Sequence, residues 1–232
     1  MQWTAPDGRE LSFELRGDPT QTSAPVLFLP GHELPLDWAF YPFLIGKIAE
    51  HRPVLLPLLQ EGTAVSAELG AAQSLLEAMV GGALPEGASW RQRKIGLLGH
   101  GKGAGLALLL ASGQPAVGGV VAISTVCTFN RSTGDPGTRI RADVAQHGVR
   151  FQLELAARQV RCPIVLVHGE EDHIAPFDEG ELVYHWLPKE KSSLVLLEKT
   201  GHSLGAHHPF EGTNKELDRV VRISREFFER EL

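Results

Sequence analysis

Short apolar runs recur along the chain with no polar alternation inside them. They are Val26-Leu-Phe-Leu29, Val54-Leu-Leu56, Ile95 to Leu98, Val117 to Ser124, Ile164 to Val167 and Leu194 to Leu197. Continuous runs of this length predict strands buried on both faces. Between them apolar residues return at helical spacing. Trp38 to Glu50 carries Phe40, Phe43, Leu44 and Ile48, and Ala67 to Val80 carries Leu69, Leu75, Leu76 and Met79. An apolar helix starts at Ala104, another covers Asp178 to Trp186, and Asn214 to Leu232 closes the chain with Leu217, Val220, Val221, Ser224 and Phe228 on one side. Residues 2–16 alternate instead, around Pro6-Asp7-Gly8, which is a hairpin signature.

Strands alternating with helices predict an α/β fold with a mostly parallel central sheet and helices on both faces, entered by the antiparallel hairpin. One region breaks the rhythm. Residues from about 127 to 160 begin with polar, Gly and Pro residues and read as helical from Arg139. An insertion past the C-terminal end of a strand lies over the crevice where α/β proteins bind ligands. The reading is one domain over residues 1–232 with a small cap at 127–160. The alternative for that segment is a long surface connection.

Composition narrows the classes. The chain has 232 residues, 43% hydrophobic and 22% charged, as expected for a soluble globular domain. A net charge of −6 argues against a nucleic-acid partner, which would need a basic face. Cys127 and Cys162, the two cysteines, make neither a disulfide framework nor a zinc motif. The N-terminus shows no basic end followed by an apolar run, and the apolar runs at 104–111 and 115–126 are too short and broken to span a bilayer. The expected setting is cytoplasmic, with no membrane partner; oligomeric state is left open.

The chemistry is concentrated after Ile95 to Leu98. That strand leads into Gly99-His100-Gly101-Lys102-Gly103 and then the Ala104 helix. Strand, glycine turn and helix form the frame of a nucleophile elbow, Gly-x-Ser-x-Gly, with Gly101 at the Ser position. Acyl transfer by a hydroxyl needs a nucleophile, a base and an acid that orients the base, in the chain order nucleophile, acid, His. Val165-Leu-Val-His-Gly-Glu-Glu-Asp172 presents a carboxylate after one strand. Leu194 to Leu197 leads through Glu198-Lys199-Thr200-Gly201 to His202, where Gly201 is expected to let the backbone turn. The backbone N–H groups of Lys102 and His32 are the expected oxyanion donors. The side chains of His32 and Glu33 fall at the mouth, with loop packing as their plainer role.

On these residues the chain resembles the α/β-hydrolase superfamily over nearly its whole length. The resemblance rests on Leu29-Pro30-Gly31-His32, the elbow frame, His168-Gly-Glu-Glu-Asp172-His-Ile-Ala-Pro176, and Gly201-His202-Ser-Leu-Gly-Ala-His-His-Pro-Phe210 before a helix ending in Phe227-Phe228. The ending looks like that of small bacterial hydrolases related to dienelactone hydrolases and S9-type peptidase domains. The resemblance implies a small-molecule ester-like substrate, Asp172 and His202 as triad members, and neither metal nor organic cofactor. It also implies Ser at position 101, where this sequence departs.

Gly101 then has three readings: a nucleophile replaced by design, a natural loss giving a binding pseudoenzyme, or nucleophile-free chemistry with His202 and Asp172 acting on water or an acidic C–H. Natural loss is physically easy, because an elbow strains its central residue and glycine removes the strain. Gly96 to Gly103 also comes near a phosphate-binding loop, and Gly99-x-Gly101-x-x-Ala104 near a dinucleotide fingerprint. The first lacks the hydroxyl after Lys102, and the second lacks an acid after the next strand, where Ser124 and Thr125 stand. Cys127, Phe129 and His100 are further candidates for the pocket wall, with packing as the alternative. The Lys102 side chain is expected at the pocket mouth or in solvent, and Trp38, Phe40 and Phe43 in the core.

Overall fold

The apolar runs all become strands of one sheet. The computed structural model describes residues 1–31, 36–59, 63–84, 90–130 and 135–232, with 135–140 as backbone only. The strands are β1 (Gln2–Thr4), β2 (Glu10–Arg16), β3 (Val26–Leu29), β4 (Val54–Leu58), β5 (Ile95–His100), β6 (Val117–Ile123), β7 (Ile164–Gly169) and β8 (Ser192–Leu197). They make one eight-stranded sheet in the order β1-β2-β4-β3-β5-β6-β7-β8. β1 and β2 pair antiparallel, β2 joins β4 antiparallel, and all pairings from β4 onward are parallel.

Alternate residues of each buried strand feed opposite cores, as the pleat requires. Leu27, Leu29, Leu97, Val120, Ala122 and Leu166 face one apolar cluster. It is completed by α2 (Val65–Gly81), α3 (Lys102–Gly113), α5 (Leu153–Gln159) and α6 (Phe177–Trp186). Val26, Phe28, Leu98, Val121, Ile123 and Val167 face the other, which α1 (Tyr41–Ala49) and α7 (Lys215–Glu231) cover. Asn214 caps α7 by accepting from the Leu217 N–H at 2.8 Å, and its Nδ2 donates to Leu204 O at 2.9 Å. One residue therefore starts the closing helix and pins the loop after β8.

Some boundaries differ from the sequence expectation. α1 begins at Tyr41 and not Trp38, because Ala39 takes a φ of 42° and Pro42 favours the first turn of a helix. β5 runs on to His100 and α3 starts at Lys102, so the turn between them is Gly101 alone. Among its described residues, segment 127–160 holds the α-helices α4 (Asp135–Gln146) and α5, with a 3-10 turn at Gly148–Phe151 between them. α5 buries Leu153, Ala156 and Ala157 and packs on α3, as an ordinary crossover helix between β6 and β7 does. α4 meets α2 instead. Ser66 in the first turn of α2 donates its N–H to Asp143 Oδ2 at 2.8 Å and its hydroxyl to Oδ1 at 2.5 Å. The N-cap of α2 is Ala64, which has no capping side chain, so Asp143 brings an acceptor and a negative charge to that terminus.

Candidate active site

Parallel strands place all their C-terminal ends on one rim, and the chemistry-bearing residues sit there. Gly101 follows β5, Asp172 follows β7 and His202 follows β8. The structure brings them together. His202 Nδ1 lies 2.8 Å from Asp172 Oδ2. A Cβ on Gly101 would lie 3.4 Å from both Nε2 and Cε1 of His202, an ordinary contact.

The elbow geometry comes from its glycines. Gly101 has φ 54° and ψ −120°, which L side chains rarely adopt. A Cβ on Gly103 would run into the carbonyl oxygens of Leu29 and Pro30, and one on Gly99 into the backbone of Gly103 and Ala104. These two are small so that β5 and α3 can meet β3. Gly101 differs, since its Cβ position is open toward His202. The Gly101 N–H donates to Ile123 O at 2.9 Å, and its carbonyl accepts from Ala104 N at 3.1 Å. Lys102 is the first residue of α3, so its N–H has no intrahelical acceptor and is available to an oxyanion. His32 and Glu33 lie outside the described residues, as do 131–134 at the start of the expected cap.

Asp172 is fixed from several sides. Its Oδ1 accepts from the N–H groups of Ile174 at 2.9 Å and Ala175 at 2.8 Å, closing the loop on itself. Glu170 N donates to Leu197 O and Glu171 N to Thr200 O, each at 3.0 Å, which stitches the acid loop to the base loop. Burial pushes the Asp172 carboxyl up, but the His202 hydrogen bond and charge and the Ala175 N–H outweigh it, and the net direction is down from 3.8. A carboxylate there accepts from the Nδ1–H, which turns the other ring nitrogen, Nε2, toward Gly101. Behind it, His168 is fully buried and its Nε2 donates to Ala175 O at 2.7 Å.

The turn at His202 is made differently from the sequence expectation. Positive φ falls at Lys199 (52°), Leu204 (55°) and Gly205 (72°), and Gly201 does not need glycine's freedom. The Leu204 N–H donates to Gly201 O at 3.0 Å and holds the loop closed.

His100, Lys102 and Phe129 are packed inside the protein, and Cys127 is half-buried. His100 is 1% exposed, and both its ring nitrogens are engaged inside the protein. The Lys102 side chain is neither in solvent nor at a mouth. Its Nζ lies 2.6 Å from Glu68 Oε1, and both side chains are about nine-tenths buried between α2 and α3. Phe129 is buried against Phe151 and the Cα side of Gly105. Cys127 packs at the edge of the same cluster, its N–H donating to Glu179 Oε2 at 2.7 Å. Sequence reasoning missed Tyr41, whose hydroxyl touches both Gly31 and His100. Trp38, Phe40 and Phe43 pack in or against the core as expected.

The fold is that of the α/β-hydrolases. Similar solved structures include an esterase from Butyrivibrio proteoclasticus, Est1E, with ferulic acid bound. It has a TM-score of 0.77 and 14% identity, covering 100% of this chain and 98% of that one. The esterase Est2 from Thermogutta terrifontis, with propionate bound, has a TM-score of 0.75 and 16% identity over 99% and 93% of the two chains. The esterase domain of a Rhodothermus marinus protein has a TM-score of 0.71 and 18% identity over 99% and 97%. No protein-family model and no curated protein matches the sequence. At these identities the likeness is one of fold. Among the described residues no helix is long and apolar enough to cross a membrane.

Proposed function

We propose that this chain binds small ester-type carbonyl compounds at an acyl-transfer site whose nucleophile position is Gly101, and that it turns them over only weakly. The observation that carries this reading is the 3.4 Å between His202 Nε2 and a Cβ on Gly101, with Asp172 hydrogen-bonded behind the ring. A ring aimed at an open position on an elbow, with a carboxylate behind it, supports reading the site as a serine hydrolase triad that lacks its hydroxyl. The neighbouring esterases with bound ferulic acid and propionate support an acyl group as the recognised part.

With Ser at 101 the chemistry closes. The hydroxyl gives its proton to His202 Nε2 as its oxygen bonds to the carbonyl carbon. The carbonyl oxygen takes the developing charge at the Lys102 N–H. The alcohol leaves with the His202 proton, and water then repeats the sequence to release the acid. With glycine at 101 the elbow offers no hydroxyl to take the acyl chain. Base catalysis by His202 on water and oxyanion binding then account for a small residual rate.

A fluorophosphonate probe tests the reading. The Gly101→Ser protein is expected to take up one phosphonyl group, at residue 101, while the Gly101 protein takes up none. An unlabelled Gly101→Ser protein that remains folded would contradict the proposal.

A further inference from the structure

His100 ends β5 beside Gly101, yet it is almost wholly buried. Its Nε2 lies 3.0 Å from the backbone oxygen of His202, and its Nδ1 lies 2.8 Å from the Tyr41 hydroxyl. That hydroxyl in turn accepts from the Gly31 N–H at 2.8 Å. The direction of every proton in this chain is forced. A carbonyl only accepts, so the His100 hydrogen is on Nε2. Burial holds the ring well below 6.5 and hence neutral, so Nδ1 is bare and takes the phenol proton. The phenol oxygen, having donated, receives the Gly31 N–H.

The surroundings hold this chain in place. Trp38 stacks on the His100 ring at 6.2 Å, and Phe40 and Tyr41 meet it edge-on at 5.2 and 5.6 Å. The His202 ring packs on it at 4.5 Å. A Cβ on Gly31 would lie 2.8 Å from His100 Nδ1 and 3.1 Å from the Tyr41 hydroxyl, so residue 31 has no side chain where the chain passes. Gly31 opens the loop after β3, and His202 carries the imidazole aimed at Gly101. The hydrogen-bonded path therefore joins Gly31 to the His202 backbone, and both residues border the Cβ position of Gly101.

We propose that Tyr41 and His100 are positioning residues, which fix the His202 backbone against Gly31 and thereby set the aim of His202 Nε2 at residue 101. The inference rests on the reading of His202 as the base of an acyl-transfer site. It adds that the base is aimed from behind by a neutral donor–acceptor relay, in addition to the carboxylate at Nδ1. A misplacement of about 1 Å at a reacting group costs on the order of a hundredfold in rate, so loss of the relay falls on turnover before binding.

The test uses the Gly101→Ser protein with an acyl ester. Tyr41→Phe keeps the ring and removes the hydroxyl; His100→Leu removes donor and acceptor; His100→Gln keeps one of each. The expected result is a kcat lower by roughly 10- to 100-fold for Tyr41→Phe and His100→Leu, with KM within about twofold, and recovery of most of kcat by His100→Gln. Should His100→Leu fail to fold, Tyr41→Phe decides. Unchanged kcat per folded molecule would overturn the proposal. Nitrogen NMR of the imidazoles in the Gly101 protein gives a readout without turnover. His100 is expected as the Nε2–H tautomer, and Tyr41→Phe is expected to shift or split the His202 ring signals. If Gly101→Ser shows no turnover, the acyl-transfer reading fails, and unmoved His202 signals in Tyr41→Phe would separately end the positioning role.

Discussion

His202 Nε2 and the Cβ position of Gly101 face each other at 3.4 Å, with Gly31 Cα beside them at 3.5 Å. The contact is at ordinary van der Waals range, so the elbow has space for a side chain at 101. What opposes a side chain there is the backbone, whose φ of 54° costs a non-glycine residue on the order of 1–3 kcal/mol.

This separates two substitutions two residues apart. Gly101→Ala should cost about 1–3 kcal/mol in chemical denaturation and leave a folded protein. Gly103→Ala should cost more than about 3 kcal/mol, because its methyl has only the Leu29 and Pro30 carbonyls to occupy. Equal unfolding midpoints for the two variants would show that the elbow is looser than the structure makes it.

On the proposed acyl-transfer reading, Asp172 holds His202 by tautomer as well as by charge. In the Gly101→Ser protein, Asp172→Asn should lower kcat by roughly 10⁴-fold while ester binding changes little, since an amide can donate to Nδ1 and strand the proton on Nε2. Steady-state kinetics with a short acyl ester checks this. A loss under tenfold would mean that Asp172 does not orient His202.

The parts legible in the sequence were those that one strand or one loop decides alone. Val26–Leu29 is buried on both faces and reads as such, and α7 shows Leu217, Val220, Val221, Ser224 and Phe228 buried as its spacing predicts. Asp172 and His202 stood out because each ends a buried strand in a loop. Lys102 was misread because its partner Glu68 lies 34 positions away, on another helix. His100 was ambiguous for the same reason, since nothing near it in the chain announces Tyr41 or the His202 carbonyl. The start of α4 was masked by Asp135-Pro136-Gly137, which reads as loop although Pro is tolerated in a first turn.

The buried Lys102–Glu68 pair should matter to stability when broken and little when replaced whole. Lys102→Met removes the ammonium from a carboxylate that is 8% exposed, and about 3–5 kcal/mol should be lost. Lys102→Met with Glu68→Leu should recover most of it. Urea unfolding of the three proteins checks both, and a double variant no better than the single would contradict this account of the pair.

Stability should fall as pH drops below about 6.5. Burial depresses the pKa of both His100 and His168 below 6.5 in the folded chain. The stabilisation is therefore complete above the unfolded value and is lost as pH falls toward the folded values, because the unfolded chain takes up protons that the folded one does not. Asp172, held below 3.8, adds a second loss at lower pH by the same sign. The urea midpoint at pH 7.5 should exceed that at pH 5.5, and His100→Gln should shrink the difference. A midpoint that is flat across that range would contradict charge-free burial of these rings.

The vacancy at residue 101 is tested most directly by hydrolysis of p-nitrophenyl acetate and butyrate by the Gly101 and Gly101→Ser proteins side by side. Gly101→Ser is expected to raise kcat/KM by at least roughly a thousandfold, and adding His202→Ala to abolish the gain. A Gly101 protein already turning over esters as fast as Gly101→Ser would contradict it, and so would a Gly101→Ser gain that survives the loss of His202.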